Sequence, residues 1–373
     1  SINKLLKDTN NKLKDISHFA THGLTSLNKI LPDYEYVKKK IDSVRNSNLD
    51  DKTKKKQIIF LKKRIAHENY VINTRTKNTI SEIKNKFKNL KVYDHHTSHA
   101  ASAAFNSNFL NCYCLTIDGW GDDASAKIFS YNKGKFIEIS KSSSLDSLGY
   151  FYGSITKLLG FKPHQHEGKI LGLAAYGNPR KSQKDMSKLI SYDKKNKRFI
   201  GHYEKGIYQA NFANSNLKYL TKKYSTEDIA AGAQYLLEKL VLECVRSLSP
   251  NKFNLALAGG IFANVKLNQK IKDEKKVKEI FIYPNMGDGG LSVGAAMLCY
   301  HEVTKKIPKS SINYYLGPMY NNTEILTAIK KFKLKCSKPK YLEKKIAELL
   351  IQEKVIAHFN QRMEFGPRAL GNR

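Results

Sequence analysis

Two histidines of this sequence stand at a spacing that suits metal chemistry. His95 and His99 lie four residues apart in DHHTSHAASAAF (94–105), so both imidazoles can face one point from a helix, whereas His96 points away. Two neutral imidazole nitrogens converging in this way can bind one divalent metal. Hydrogen-bonded structural histidines are the alternative, and the spacing alone leaves both open.

Two aspartates favour the metal. Asp118 ends an apolar run directly before a glycine, and Asp288 lies in GDGG after another apolar run. Each carboxylate would be a desolvated charge at the end of a buried strand unless a cation or hydrogen-bond donors compensated it. Two histidines and two aspartates together suit iron, zinc or manganese. Their convergence in space is an expectation, because Asp288 is distant in sequence.

Two glycine-containing stretches are candidates for binding an anion. Gly259 and Gly260 would let the backbone approach a ligand closely, and the helix after them would offer free amides to phosphate. In HEGKILGLAAYG, Glu167 and Lys169 flank Gly168. They would contact ribose and phosphate, or form a surface ion pair that contributes little energy.

Aromatic and arginine side chains add further candidates. Trp120, between two glycines beside Asp118, would stack on a ligand or pack in the core. Arginines with forked donors for carboxylate or phosphate surround the Gly-Pro turn near the end of the chain. A salt-bridged turn between domains is the alternative for this cluster, which contains Arg362, Glu364, Arg368 and Arg373.

Alternating strands, glycine turns and helices predict an α/β fold, with ligands at the carboxyl ends of the strands. The patterns predict three antiparallel strands across 112–141, buried strands at 254–260 and 279–284, and helices at 147–161 and 225–248. Before residue 91 the chain is Lys-rich and mainly helical, with a short apolar turn at 15–23. We interpret 38–64 as exposed surface and assign nothing to 180–222.

The composition bounds the class of protein. The formal net charge is +32, which is typical of nucleic-acid binding, but the excess is mainly Lys accompanied by Asn and Ile, a pattern that AT-rich coding also produces. The five cysteines suggest reduced core residues. No window is apolar enough for a membrane span or a signal peptide. We therefore expect a cytoplasmic protein with no membrane partner.

Six motifs, taken in order, resemble the O-carbamoyltransferases of the nodulation protein U and tobramycin carbamoyltransferase type. They are DHHTSHAASAAF, LTIDGWGDDAS, HEGKILGLAAYG, LAGGIFANVKLN, YPNMGDGGLSVGAA and MEFGPRALGNR. The resemblance runs from about residue 91 to 305 and continues weakly to the end. It implies an actin-like ATPase (ASKHA, ribonuclease H-like) two-lobed domain over 1–305, followed over 306–373 by the start of a YrdC-like α/β domain.

Two departures from the family pattern lead us to expect a fragment truncated at both ends. Nothing in SINKLLKDTNNKL matches the family's first strand hairpin with its phosphate loop, and the family continues beyond GPRALGNR. Gln361 also stands where a glycine is more usual. We expect the metal-binding residues to be retained but the complete reaction to require the missing parts.

The resemblance also implies a reaction and its ligands. His95, His99, Asp118 and Asp288 would hold a divalent metal, Fe²⁺ in the first place, with Zn²⁺ or Mn²⁺ as alternatives. A carbamoyl-adenylate, made from carbamoyl phosphate and ATP with Mg²⁺ as a further candidate ion, would donate its carbamoyl group to a hydroxyl of a sugar or secondary metabolite. The implied nucleotide contacts are Glu167, Gly168, Lys169, Gly259, Gly260, Asn264 and Arg368.

The sequence leaves two other functions open. A tRNA threonylcarbamoyladenosine-type modifying enzyme would share the metal histidines and use the basic surface, but MEFGPRALGNR after GDGG favours the O-carbamoyltransferase. A non-catalytic nucleic-acid-binding protein would instead show strongly salt-dependent binding and need no metal. We do not expect nucleic acid as a partner. Neither the acceptor, nor the oligomeric state, nor a catalytic residue is indicated by the sequence.

Overall fold

The computed structural model describes residue 6 and residues 9–23, 33–71, 74, 77–87, 89–308 and 313–373. Part of the stretch SINKLLKDTNNKL lies outside the described residues. The chain divides into two compact units, 1–310 and 311–373. The first contains the sheets and the hydrophobic core.

A five-stranded mixed sheet is the centre of the first unit. The described strands of the chain are β1 (Phe19–His22), β2 (Leu90–Tyr93), β3 (Asn111–Gly121), β4 (Ala124–Asn132), β5 (Lys135–Ser143), β6 (Ile190–Asp193), β7 (Arg198–Gly201), β8 (Phe253–Ala258) and β9 (Val277–Ile282). The order in the five-stranded sheet is β5-β4-β3-β8-β9, in which β3, β4 and β5 form an antiparallel meander and β8 and β9 run parallel to β3. The carboxyl ends of β3, β8 and β9 therefore lie at one edge.

Helices of the first unit pack around this sheet, and eight of the described helices of the chain begin with a side-chain cap. Asp94, Ser147 and Ser225 each accept a hydrogen bond from a first-turn amide that would otherwise lack a partner. The helices are α1 (Tyr34–Arg45), α2 (Asp51–Tyr70), α3 (Lys77–Lys86), α4 (His95–Ala104), α5 (Leu148–Leu158), α6 (Glu167–Ala174), α7 (Pro179–Met186), α8 (Tyr219–Lys223), α9 (Thr226–Ser247), α10 (Val265–Lys272), α11 (Leu291–Thr304), α12 (Asn322–Lys331) and α13 (Leu342–Ile351).

The predicted three-strand meander, the helix after Ser147 and the long helix after Ser225 are confirmed. The apolar stripe predicted for the long helix is buried along its whole length. Burying one such large aliphatic side chain contributes about 1.5–3 kcal/mol, so this stripe is a major source of stability. Its members are Ile229, Ala233, Leu236, Leu237, Leu240, Cys244 and Leu248.

Two interpretations of the first ninety residues are wrong. The stretch 15–23 contains a strand, β1, which pairs in parallel with β2, because its apolar residues satisfy their backbone groups against a strand far along the chain. The Lys-rich stretch 38–64 is helical but not wholly exposed, since Lys40 and Arg64 are buried beside carboxylates. The unassigned stretch 180–222 contains most of α7 together with β6, β7 and part of α8.

All five cysteines are free thiols; Cys336 is exposed and the other four are buried. Within the described residues, none of the helices is both long and apolar enough to cross a membrane.

We predict that Gly294→Ala destabilises the protein, because α11 touches α4 at this point. An added Cβ at Gly294 would lie 1.8 Å from the carbonyl oxygen of Ser98. Overpacking of this kind costs about 1–3 kcal/mol. The control is Gly172→Ala in α6, where the added Cβ meets nothing within 4 Å and helix propensity favours alanine by about 1 kcal/mol. Urea unfolding, followed by circular dichroism, gives the unfolding midpoint of each variant. A midpoint for Gly294→Ala equal to that of Gly172→Ala would contradict the close contact.

Candidate metal centre

The four residues singled out from the sequence lie together at the carboxyl edge of the sheet. His95 and His99 come from the first turns of α4, Asp118 from the end of β3, and Asp288 from the turn between β9 and α11. One ligand atom from each lies within 4.8 Å of all the others. The topology thus joins three separate stretches of chain in one cluster.

The distances fit a single ion. His99 Nε2 lies 3.1 Å from Asp118 Oδ2 and 3.7 Å from Asp288 Oδ1. His95 Nε2 lies 3.8 Å and 3.7 Å from the same two oxygens. Ligand bonds of about 2.1 Å in a tetrahedron imply ligand separations of about 3.4 Å, so small side-chain movements suffice. The site opens to solvent at Asp288, whose side chain is 72% exposed, whereas both histidines are buried.

The hydrogen-bond partners of the histidines test the fit further. Among the described residues, His95 Nε2 is buried and has no hydrogen-bond partner, although it faces two carboxylates. A buried nitrogen in this position is suited to a cation. His96 points away, with its ring between the Thr116 hydroxyl at 2.9 Å and the Ala124 carbonyl at 3.3 Å. Two of the three histidines therefore suit metal binding and the third holds the helix on the sheet.

The charges in the cluster stabilise one another. Burial would raise the pKa of Asp118, but its contacts with His95 and His99 outweigh burial and hold that pKa well below its usual range. Burial also opposes a charge on His99, yet the carboxylates of Asp118 and Asp288 raise the pKa of His99 above its ordinary value. A cation placed between these groups would compensate the same carboxylates.

The start of α4 is fixed by charges behind the site. Asp94 caps the helix by accepting from the Thr97 amide at 2.7 Å, and its other oxygen lies 3.1 Å from the ammonium of Lys127. Asp122 accepts a hydrogen bond from the His95 amide at 2.8 Å. These anions satisfy free amides of the first helical turn, where the helix dipole favours negative charge.

The glycine pair lies against the strand that carries Asp118. Gly259 has φ +104°, and an added Cβ would lie 2.2 Å from the Ile117 carbonyl oxygen, so only glycine fits. A Cβ on Gly260 would lie 3.3 Å from Asp118 Oδ1. Asn264 is used within the fold: its side chain caps α10 through the Leu267 amide and bonds the amide group of Gln234.

Three further residues implied as nucleotide contacts, Glu167, Gly168 and Lys169, form the first turn of α6. Glu167 begins α6 and accepts from the His164 amide at 2.7 Å. The Lys169 ammonium lies 5.6 Å from the centre of the Phe161 ring, and Gly168 between them is exposed.

The arginine cluster belongs to the unit 311–373. There the buried Glu364 accepts backbone hydrogen bonds from Leu370 and Asn372, and Arg362 donates to the Gly317 carbonyl. Arg368 is exposed. These contacts describe a hydrogen-bonded turn within the second unit.

Sequence reasoning missed His22, the last residue of β1. Its ring lies edge-on to His95, with ring centres 5.9 Å apart. Burial and the neighbouring His95 lower the pKa of His22 to about 4, so it is neutral near pH 7. The signal was present in FATHG, an apolar run ending in a polar residue before glycine, the same pattern that identified Asp118.

Two family models match this chain: residues 2–297 match the one described as Carbamoyltransferase N-terminus, and residues 347–373 match Carbamoyltransferase C-terminus. An uncharacterised protein of Methanocaldococcus jannaschii, MJ1051, is 34% identical over 310 residues, which cover 79% of this chain and 58% of that protein. Nodulation protein NolNO of Sinorhizobium fredii is 30% identical, over 75% of this chain and 42% of its own length. The chain thus spans about half the length of these relatives.

Solved structures are less similar. Component A of the Acidaminococcus fermentans (R)-2-hydroxyglutaryl-CoA dehydratase has a TM-score of 0.38 at 15% identity, covering 61% of this chain and 74% of that chain. HypF of T. kodakarensis also has a TM-score of 0.38, at 14% identity, covering 63% and 40%. At these scores the structural likeness carries no argument. The sequence matches do, and by them the chain belongs to the carbamoyltransferase family.

Proposed function

We propose that the protein is a metal-dependent O-carbamoyltransferase that transfers a carbamoyl group from carbamoyl-adenylate to a hydroxyl of a sugar or secondary metabolite. The observation that carries this proposal is the His95, His99, Asp118 and Asp288 cluster in a chain of the carbamoyltransferase family. The chain matches about half of its relatives' length, so the complete reaction is proposed for the whole protein.

The four clustered residues would hold one divalent ion, with Fe²⁺, Zn²⁺ and Mn²⁺ as the candidates for an N₂O₂ donor set. When bound, a divalent cation supplies Lewis acidity that stabilises negative charge on a carbonyl oxygen. Asp288 is the exposed member of the set, and we assign substrate entry to its side. His95 and His99 are buried and Asp118 is partly buried, so these three form the side away from solvent.

In the proposed transfer, the acceptor hydroxyl oxygen attacks the carbamoyl carbon. The new C–O bond forms, the bond from that carbon to the phosphate oxygen breaks, and AMP leaves while the hydroxyl proton passes to a base. Neutral His22 and the Asp288 carboxylate are the bases that the site offers. We assign the adenylate to the side of the cluster where the glycine turn lies, because Gly260 is close enough to Asp118 that an added Cβ would be 3.3 Å from its Oδ1.

Several finer features belong to the same proposal. They are an actin-like two-lobed nucleotide-binding architecture for the first unit, a YrdC-like domain that begins in the second, ATP and carbamoyl phosphate as sources of the adenylate, and a cytoplasmic location. The mixed sheet, with β8 and β9 parallel to β3, is consistent with the first of these.

His95→Ala and Asp118→Asn should each abolish stoichiometric metal binding, because each removes one of the donors. Elemental analysis after loading with Fe²⁺, Zn²⁺ or Mn²⁺ measures this. His202→Ala is the matched control, since His202 also faces a carboxylate, Glu204 at 2.9 Å, in another part of the chain. Full metal content in the folded His95 and Asp118 variants would reject the site.

Metal affinity should fall as the pH is lowered, because the ion and the proton compete for the imidazoles. The carboxylates raise the pKa of His99 above its usual 6.5, so protonation begins to oppose the metal at a higher pH than at an ordinary histidine. Below that pKa we expect about a tenfold loss of affinity per pH unit for each protonated histidine. Titration calorimetry with Zn²⁺ between about pH 5 and 8 measures it; a flat profile would contradict histidine ligation.

Asp288→Asn should slow carbamoyl transfer by at least about 100-fold, equivalent to about 2.7 kcal/mol of transition-state stabilisation. The assay supplies carbamoyl-adenylate directly and follows AMP release in a single turnover with a hydroxyl acceptor in excess. Glu204→Gln, which alters the carboxylate beside His202, provides the comparison. The same rate in wild type and Asp288→Asn would argue against a role for this cluster in transfer.

A further inference from the structure

We propose that Arg64, on a helix outside the central sheet, is a positioning residue for the metal centre, acting on His95 through Trp120 and Asp122. This inference rests on the proposed metal site. It assigns a role to α2, a segment that the motifs of the family resemblance do not include.

The guanidinium of Arg64 is buried between two rings. The residue is 8% exposed, and its Cζ lies 4.4 Å from the centre of the Trp120 ring and 5.6 Å from that of Tyr150. Its Nη1 lies 2.9 Å from Glu68 Oε1, and the Ser144 hydroxyl donates to the same carboxylate. Within the described part of the chain, neither Nη1 nor Nη2 has a partner that meets hydrogen-bond geometry. The charge is therefore compensated by one carboxylate and by two ring faces.

Trp120 links Arg64 to the backbone of Asp122. Its indole Nε1 donates to the carbonyl oxygen of Asp122 at 2.5 Å. Asp122 has φ +55°, a conformation that a residue with a Cβ rarely adopts, so its backbone must be held by neighbours. The stacked and hydrogen-bonded indole is one such neighbour.

Asp122 in turn contacts the backbone of His95. Its Oδ2 accepts a hydrogen bond from the His95 amide at 2.8 Å, at the first residue of α4. The chain of contacts is therefore continuous from Glu68 through Arg64, Trp120 and Asp122 to His95. Because His95 Nε2 lies 3.7 and 3.8 Å from the two carboxylates, shifts of a few tenths of an ångström decide whether it can share an ion with them.

The test uses Trp120, which is the single tryptophan of the sequence and so reports on this site directly. The variants are Arg64→Gln, Arg64→Lys and, as control, Arg246→Gln, which removes the ion pair between an exposed arginine of α9 and Glu274. Titration calorimetry gives the Mn²⁺ affinity, acrylamide quenching gives the accessibility of Trp120, and circular dichroism checks folding.

We expect Arg64→Gln to lower Mn²⁺ affinity about 10- to 100-fold, the usual effect of losing a residue that orients a metal ligand, and to make Trp120 easier to quench. Arg64→Lys keeps the cation over the ring and should restore part of both properties. Arg246→Gln should change neither. Unchanged Mn²⁺ affinity in folded Arg64→Gln would overturn the proposal, and so would an equal loss in all three variants.

If the wild-type chain binds neither Mn²⁺ nor Zn²⁺, the metal-site proposal itself is wrong. The effect of Arg64 on His95 would then be tested by acrylamide quenching of Trp120 and by hydrogen exchange of the His95 amide. Faster quenching and faster exchange in Arg64→Gln than in Arg246→Gln would support it, and identical values would overturn it.

Discussion

The partly buried carboxylate of Asp118 is the constraint on which the site depends. It stands at the carboxyl end of a strand whose preceding residues Leu115, Thr116 and Ile117 are fully buried, where an uncompensated charge would be costly. Within the sheet the carboxylate accepts a hydrogen bond from the Gly119 amide at 2.7 Å, whereas the neighbouring strand β8 ends at Ala258 and is followed by two glycines. The imidazoles come from α4, whose first turns place His95 and His99 beside the carboxylate. The rest of the site fixes α4 in that place.

Fixing α4 requires close backbone contacts as well as charge. Gly294 lets α11 touch the backbone of α4 at Ser98, and α11 follows directly on the turn that carries Asp288. The spacing between Asp288 and the histidines is therefore set by the packing of one helix on another. Gly259 likewise allows a close backbone contact, because it lets the turn after β8 lie against the backbone of Ile117, the residue before Asp118. Contacts this close leave little freedom for the donor atoms to drift apart.

The sequence predicts the parts of this arrangement that depend on local order. The four-residue spacing of His95 and His99, the alternating runs of the meander and the stripe of the long helix are all encoded within one element. The position of Asp288 could be expected because parallel strands end at one edge. His22 carried the same strand-end pattern as Asp118, but in an apolar run short enough to be taken for a turn. Arg64 could not be found in this way, because its ring partners Trp120 and Tyr150 lie far along the chain and its own segment has the composition of a solvated helix.

The basic residues of α1 and α2 are of two kinds, exposed ones and buried ones that pair with carboxylates. Most lysines of α1 and α2 are exposed, but Lys40 pairs with the buried Asp146 at 2.8 Å, and Arg64 with the buried Glu68. Buried pairs of this kind add little net stability, because desolvation offsets much of the attraction, but breaking one is costly. The Lys40–Asp146 pair joins α1 to the segment before α5, and Glu68 joins α2 to Ser144 of the same segment, so these contacts help to fix where the two helices dock.

Both buried pairs of α1 and α2 meet the same turn, 144–147, which precedes α5. Glu68 accepts from the Ser144 hydroxyl, while Asp146 accepts from the Gly201 amide at 2.7 Å as well as pairing with Lys40. The next residue, Ser147, donates its hydroxyl to the Gly119 carbonyl at 2.6 Å, one residue beyond Asp118. α1 and α2 are thus connected to the end of β3 through this turn as well as through Trp120. Because that turn bonds the backbone next to the carboxylate, a segment with the composition of a solvated surface also helps to position Asp118.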